Sequence, residues 1–316
     1  MSKEYEVIEH KQIGGLNMFV VNVEYRTPHL HRDFEFNLII EGNASFLCGN
    51  NTFEVHSGDL LVLNPNQLHE IRSDTNGVTL LCLQIHPNYY NQIIPAFETI
   101  QFDAMPFSKI DTKKRAEINQ VLIQLANCYV KQPPYFEVEC SANLHSLLTL
   151  MLRETEHHQL SDTELHSFHQ KTERLLRLLD FVDNNYSHKI RLSDFAAQEK
   201  LDMSYVSHFI KDNLNQNFQD YVMAVRYNQA RKLILSTNRS LYDISYESGF
   251  SDMRYLKQAF QLHAGVSPED FKKKKRIQIE GEIHHSIHSS QHYFSPSHTL
   301  EKLNRYSKLH KIYSSN

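Results

Sequence analysis

The 316-residue chain has only four cysteines and no tryptophan. Cys48, Cys82, Cys128 and Cys140 form no CxxC pair and no dense framework. That excludes a zinc ribbon or a disulfide scaffold, and leaves them as small core residues or free thiols in a reducing compartment. No apolar run approaches the roughly 18 residues that span a bilayer. Met1 to Lys11 is charged where a secretory signal would be apolar. A soluble cytoplasmic chain with no membrane contact is expected, and at this length two domains fit better than one.

The charge is unevenly divided. Residues 172 to 276 hold 17 Lys and Arg against 13 Asp and Glu, whereas residues 1 to 160 hold 11 against 19. The overall net charge of −4 therefore conceals a basic C-terminal region beside an acidic N-terminal one. Such asymmetry fits a nucleic-acid binder carrying a separate domain that avoids DNA.

Within the basic region a segment is repeated 50 positions on. Ser204, Tyr205, Val206, Ser207, His208, Phe209, Ile210 and Lys211 answer to Arg254, Tyr255, Leu256, Lys257, Gln258, Ala259, Phe260 and Gln261. In each copy positions i, i+3, i+4 and i+7 are polar and the residues between them apolar, which predicts a helix with one polar stripe and one buried face. A helix precedes each copy: Leu192 to Lys200, with Ser193 as N-cap, and Leu241 to Ser248, capped by Ser240 and followed by a turn at Gly249. Asn215 and Gly265 stand where the second helix of each pair must stop. A hydrogen-bonding, partly basic stripe suits a DNA major groove, and two suggest two grooves. The expected DNA-facing set is Ser204, Ser207, His208, Lys211, Met253, Arg254, Lys257, Gln258 and Gln261. Between the pairs, Gln219 to Ser236 reads as a bridging helix, about 27 Å at about 1.5 Å per residue, comparable with the roughly 34 Å of one DNA turn. Lys211, Arg226, Arg231 and Lys232 are candidates for phosphate contacts or for solvated faces.

Residues 172 to 273 resemble the C-terminal DNA-binding domain of the AraC/XylS family of transcription regulators, which sets the expected domain at 172–276. Ser240, Leu241, Asp243, Ile244, Gly249, Phe250, Ser251, Asp252, Tyr255, Leu256, Phe260, Gly265, Ser267, Pro268 and Phe271 carry the likeness. The first copy is looser, with Asn215 in place of the usual glycine. The resemblance implies two helix-turn-helix units in an all-α domain.

Residues 1 to 110 read as β. Apolar-alternating runs at Phe19 to Tyr25, Phe36 to Ile40, Ala44 to Leu47, Thr52 to Val55, Leu60 to Leu63 and Val78 to Gln84 are separated by turn sequences such as Glu41-Gly42-Asn43 and Ser57-Gly58-Asp59. Many short strands and no helical period predict a sandwich or closed barrel. The pattern resembles a cupin: His29, His31 and Glu35 occur as HxHxxxE, followed by Gly42, Gly58, Pro65 and His69. In metal-binding cupins such residues ligate a divalent ion. Here Gln67 replaces a glycine and the Pro65-to-His69 spacing is one residue short. His29, His31, Glu35 and His69 are therefore assigned to a small effector, with no metal and no cofactor, metal ligation and barrel-closing hydrogen bonds being the alternatives. Cupin-like barrels joined to this type of DNA-binding domain are the family's sensory modules, often for sugars.

Residues 111 to 130 and 137 to 157 read as two helices broken by Pro133-Pro134. The stripe Leu144, Leu147, Leu148 and Met151 is either intramolecular core or a seam, and the family resemblance assigns the 111–157 segment to homodimer contact. Residues 158–171, poor in apolar side chains, are the expected linker. The 277–316 tail holds His284, His285, His288, His292 and His298, metal-binding or incidental. Beyond them Leu303, Tyr306, Leu309 and Ile312 fall three apart, without a legible role.

Three function classes are compatible with these features: a ligand-responsive regulator, a metal-dependent cupin enzyme with a DNA-binding appendage, and an architectural DNA binder. The irregular second cupin segment and the absence of a nucleophile-base pair speak against an enzyme, and a polar-lined barrel against a purely architectural protein. The expected function is a sequence-specific, effector-responsive transcription regulator whose partners are double-stranded DNA and the effector, with RNA polymerase a further partner if it acts as an activator rather than a repressor.

Overall fold

A computed structural model describes residues 8, 10, 12–48, 51–73, 77–90, 93, 94, 97–103, 110–214, 216–277 and 289–310. The chain divides into two units, one running from Gln170 to His288 and the other from Tyr5 to His169 together with Ser289 to Asn316.

The N-terminal unit is an antiparallel β half-barrel followed by helices. Its strands are β1 (Leu16–His29), β2 (Phe34–Glu41), β3 (Asn43–Cys48), β4 (Asn51–His56), β5 (Leu60–Leu63), β6 (His69–Ser73) and β7 (Val78–Ile85), hydrogen-bonded in the order β4-β3-β6-β1-β7-β2-β5. A short β8 (Ile100–Phe102) precedes α1 (Thr112–Lys131) and α2 (Phe136–Glu154). β9 (His157–Gln159) then returns to pair with β8. The sheet is apolar on both faces. Phe34, Phe36, Leu38, Leu81, Leu83 and Ile85 pack with the helices, while Ile39, Leu61, Leu63, Val78 and Leu80 pack with Phe46, Val55 and Ile71 on the other side. Glu35, Asn37 and Gln84, at the alternate positions of β2 and β7, share this second face by the two-residue period of a strand.

The stripe on α2 is not a seam. Leu144, Leu147 and Met151 are 0% exposed and Leu148 2%, in one core with Leu122, Leu125 and Ala126 of α1 and with the sheet. Periodicity identifies an apolar face without saying what covers it, and here α1 and the barrel do. The 158–171 segment is not an irregular linker either. After β9 it enters α3 (Asp162–Asn185). The helix start is set by Ser161-x-x-Glu164, where the Ser161 backbone N–H donates to Glu164 Oε2 (2.8 Å) and Glu164 N–H donates back to Ser161 Oγ (3.4 Å).

The second unit contains α4 (Leu192–Glu199), α5 (Met203–Leu214), α6 (Phe218–Ser236), α7 (Leu241–Glu247), α8 (Met253–Ala264) and α9 (Pro268–Ile277). Tyr227, Ala230 and Ile234 of α6 form a core with Ile244, Leu256, Ala259 and Phe260. Ser240 caps α7 as expected, accepting from Asp243 N–H at 3.1 Å. Ser193 does not cap α4: the cap is Arg191, whose N–H donates to Asp194 Oδ2 at 2.8 Å. Gly249 sits at φ +81, where a Cβ would lie 2.4 Å from the Tyr186 carbonyl oxygen. The first copy makes the same turn with Lys200 at φ +56. Gly265, at φ +66, ends α8, while Asn215 lies outside the described residues.

The C-terminal tail rejoins the first unit. β10 (Ser289–Tyr293) pairs antiparallel with β1, and α10 (Pro296–Leu309) buries Leu303 and Tyr306 in the core shared with α1. Asn119 of α1 donates to Tyr306 Oη (3.3 Å), and Lys302 reaches Glu41 at 2.7 Å. His284, His285, His288 and Ile312 lie outside the described residues. No helix among the described residues is long and apolar enough to cross a membrane.

Candidate functional site

In the helical unit the duplicated segments form two helices of matched length, each opened by an aspartate. Asp202 Oδ1 accepts from Ser204 N–H (2.7 Å), and Asp252 Oδ1 accepts from Arg254 N–H (2.7 Å). These paired N-caps are a further element of the repeat. Val206, Phe209 and Ile210 of α5, and Leu256, Ala259 and Phe260 of α8, are buried. Ser204, Ser207, His208 and Lys211, and Arg254, Lys257, Gln258 and Gln261, are exposed, with Met253 half-buried at the start of α8.

Some of the cations are engaged within the unit. Arg254 lies 3.2 Å from Asp252, and Lys257 lies 2.9 Å from Glu269, so a carboxylate competes with DNA for each cation. Neither Arg226 nor Arg231 stands on a fully solvated face. Arg226 donates to the Tyr186 and His188 carbonyls, both at 2.8 Å, and Arg231 is 8% exposed. Arg231 is buried and Arg226 half-buried, which a sequence window does not reveal.

In the barrel the four residues His29, His31, Glu35 and His69 come together. His29 and His69 are register partners across β1 and β6, with ring centroids 4.0 Å apart. His31 Nε2 is 2.9 Å from Glu35 Oε2, and His69 Nε2 is 3.8 Å from Glu35 Oε1. Asn37 and Gln84 donate to the two Glu35 oxygens at 2.8 and 2.9 Å. None of the four residues is more than 4% exposed. Burial pushes the His29 imidazole well below its ordinary range, helped by the Arg26 charge, and brings His69 down to about 4 against the opposing pull of Glu35. Burial alone would raise Glu35, but the His31 hydrogen bond, the His31 and His69 charges and the Asn37 amide hold its carboxyl far below the usual range.

The one-residue shortening between Pro65 and His69 does not displace His69. The turn absorbs it: Asn66 adopts φ +58 and donates its N–H to the His31 carbonyl at 2.7 Å, while Gln67 N–H donates to the Asn64 carbonyl at 3.1 Å.

The cluster is closed; a separate open cleft of about 320 Å³ has Gln67 in its lining, and the Gln67 carbonyl accepts from His69 Nδ1. Amides of Asn51, Asn64 and Gln101 and the rings of Phe53, Phe102 and Phe168 line this cleft. These residues come from four separate segments, none with a motif, so no spacing could have announced them.

A half-barrel with a convergent polar cluster, attached to two helix-turn-helix units with paired polar helices, defines a sensor joined to a DNA reader. Residues 22–148 match the AraC-like ligand binding domain family, and residues 195–274 match a helix-turn-helix domain family. The chain is 24% identical to the uncharacterized HTH-type transcriptional regulator YdeC of Bacillus subtilis, over 79% of this chain and 87% of that protein. It is 20% identical to the melibiose operon regulatory protein of Escherichia coli, over 80% and 87%. Among solved structures it is similar to ToxT of Vibrio cholerae, with a TM-score of 0.42 and 12% identity, covering 82% of this chain and 97% of ToxT. The chain belongs to the AraC family of transcription regulators. It is a DNA-binding regulator with an N-terminal ligand-binding domain.

Proposed function

We propose that this regulator reads DNA through the polar faces of α5 and α8 and responds to a small polyhydroxylated effector, a sugar or related metabolite, taken up by the barrel. The observation that carries the DNA half is the pair of exposed stripes, Ser204, Ser207, His208 and Lys211 against Arg254, Lys257, Gln258 and Gln261, on helices with the same aspartate cap. α6, at 19 residues, spans about 28 Å between the two pairs, close to one turn of DNA.

The effector half rests on chemistry. Amide side chains beside aromatic rings suit hydroxyl-rich ligands, which take hydrogen bonds and apolar contact together. The His29, His31, Glu35 and His69 cluster lies behind the same turn. Homodimerisation, an activating contact with RNA polymerase and a cytoplasmic location belong to the proposal through family membership, and the dimer contact falls outside the α2 stripe.

A reporter driven by the cognate promoter tests the division of labour. Alanine at His31, Glu35 and His69 together should abolish the effector response while operator binding persists. A full response in the triple variant would remove those residues from the sensor.

A further inference from the structure

α3 carries two arginines one helical turn apart, and their surroundings differ. Arg177 is paired: its Nε and Nη2 donate to the two oxygens of Glu199 at 2.8 and 2.9 Å. Arg174 has no carboxylate. Its Nη1 donates to Tyr205 Oη at 2.6 Å, and its guanidinium stands 5.3 Å from the centre of the Tyr205 ring and 5.6 Å from that of Phe209. Among the described residues these are its partners. Nε is buried without an acceptor, whereas Nη2, equally without one, is not buried. Two rings and a hydroxyl therefore hold the cation in place while its charge and its outer N–H donors remain unused.

The position of that cation points to its ligand. Successive residues of a helix are about 100° apart, so Tyr205 lies about 60° from His208 and about 100° from Ser204, on the border between the polar stripe of α5 and its buried face. Phe209, on the buried side, stacks on Tyr205 with ring centroids 6.4 Å apart. The α5 stripe itself bears one formal cation, Lys211, against Arg254 and Lys257 on α8. Tyr255, the counterpart of Tyr205 in the repeat and equally exposed (47% against 45%), has no arginine over it among the described residues. The additional cation thus belongs to the copy whose stripe has fewer. A guanidinium fixed at the edge of a groove-reading helix, with no carboxylate beside it, matches a phosphate, whose oxygens accept from the planar fork.

We infer that Arg174 is a DNA phosphate contact of the first helix pair, supplied by α3 from outside that pair and positioned by Tyr205 and Phe209. The contact presupposes the DNA-facing role of α5. Unlike Arg254 and Lys257, Arg174 meets the phosphate with no internal carboxylate competing for it. Phosphate contacts fix register and orientation without reading sequence, so Arg174 sets where α5 sits on the duplex and the stripe reads the bases.

The test uses full-length protein with a duplex that it selects from random DNA, unmodified or carrying one neutral methylphosphonate at each backbone position in turn, beside a random-sequence duplex. Arg174→Gln should bind both duplexes about 10-fold more weakly, the loss of one charge-assisted contact, and the slope of log K against log salt should flatten by about 0.9. For the parent, one methylphosphonate flanking the patch that His208→Ala erases should weaken binding by a similar factor, and Arg174→Gln should be indifferent to that position. A packing role alone would move neither the slope nor the response at a single phosphate. Arg177→Gln, whose charge Glu199 already offsets, should match the parent in both. Tyr205→Phe keeps the ring and removes the anchoring hydroxyl, so a loss of about 2- to 5-fold with the slope intact is expected. Should Arg174→Gln fail to fold, Arg174→Lys takes its place: the charge is kept and the fork lost, so the penalty at that same phosphate should shrink. An unchanged slope with an unchanged methylphosphonate profile, or a flattening that Arg177→Gln reproduces, would overturn the contact. If His208→Ala erases no patch while one phosphate still depends on Arg174, base reading by α5 falls and the contact stands; if a patch is erased and no phosphate depends on Arg174, the contact falls and base reading by α5 stands.

Discussion

Replacing Leu303 by alanine removes a fully buried side chain from the tail helix α10, where it packs into the core that α1 and α2 form with the sheet. If the tail is part of the sensor's core, the loss is that of an ordinary core leucine, about 2–5 kcal/mol including the cavity left behind. In a unit of this size each kcal/mol moves the midpoint by about 2–4 °C, so the barrel transition should fall by roughly 5–15 °C. Tyr306→Phe is the finer probe. It removes only the hydroxyl that accepts from Asn119 at 3.3 Å, and Asn119 keeps its bond to the Gly58 carbonyl at 3.1 Å, so about 0.5–1.5 kcal/mol is expected. Scanning calorimetry on the full chain reads both, because two units give two transitions and the helical one serves as an internal control. A Leu303→Ala protein whose barrel transition stays within about 1 °C of the parent would mean that the tail is not part of that core.

Three further outcomes follow from the geometry. Gly249→Ala combines a positive-φ cost of about 1–2 kcal/mol with a Cβ 2.4 Å from the Tyr186 oxygen, so the helical unit should lose about 2 kcal/mol or more in a denaturant titration; an unchanged midpoint would contradict the turn. Leu148→Glu places a carboxylate in the core at a cost above about 4 kcal/mol, and circular dichroism should report an unfolded barrel unit rather than a folded monomer, whereas a well-folded monomer would restore the seam. Arg254→Ala should cost about 1–3 kcal/mol on the cognate site and relax preference at one or two base pairs, while Lys211→Ala weakens all sequences alike in gel-shift titrations; equal losses on cognate and random DNA for Arg254→Ala would remove it from the base-reading set.

Apart from β6, the strands between Phe19 and Gln84 were legible because turn residues bound them and alternation runs along them, and the paired helices because each repeats one burial pattern. β6 was not legible as a strand: in His69-Glu70-Ile71-Arg72-Ser73 only Ile71 is aliphatic, so no alternation marks it. β10 joins β1 through main-chain hydrogen bonds that Ser289-Ser290-Gln291 does not advertise. Leu303 and Tyr306 carried a helical period, but Asn119, the partner of Tyr306, lies 187 residues away. The α2 stripe was read correctly as apolar and assigned the wrong cover. At the sensor, residue types and the HxHxxxE spacing picked out the four residues that converge. Their closure, and the cleft beside Gln67, depend on the conformation of the 64–68 turn, which composition does not specify.

Selection of binding sites from random duplex DNA by the full-length protein addresses the two-helix reading most directly. If α5 and α8 each enter a major groove on one face of the duplex, the selected sequences will share two short conserved patches about 10 bp apart. Arg254→Ala will erase preference in one patch, and His208→Ala in the other. A single conserved patch, or two patches that the Arg254 and His208 substitutions weaken together without separation, would contradict it.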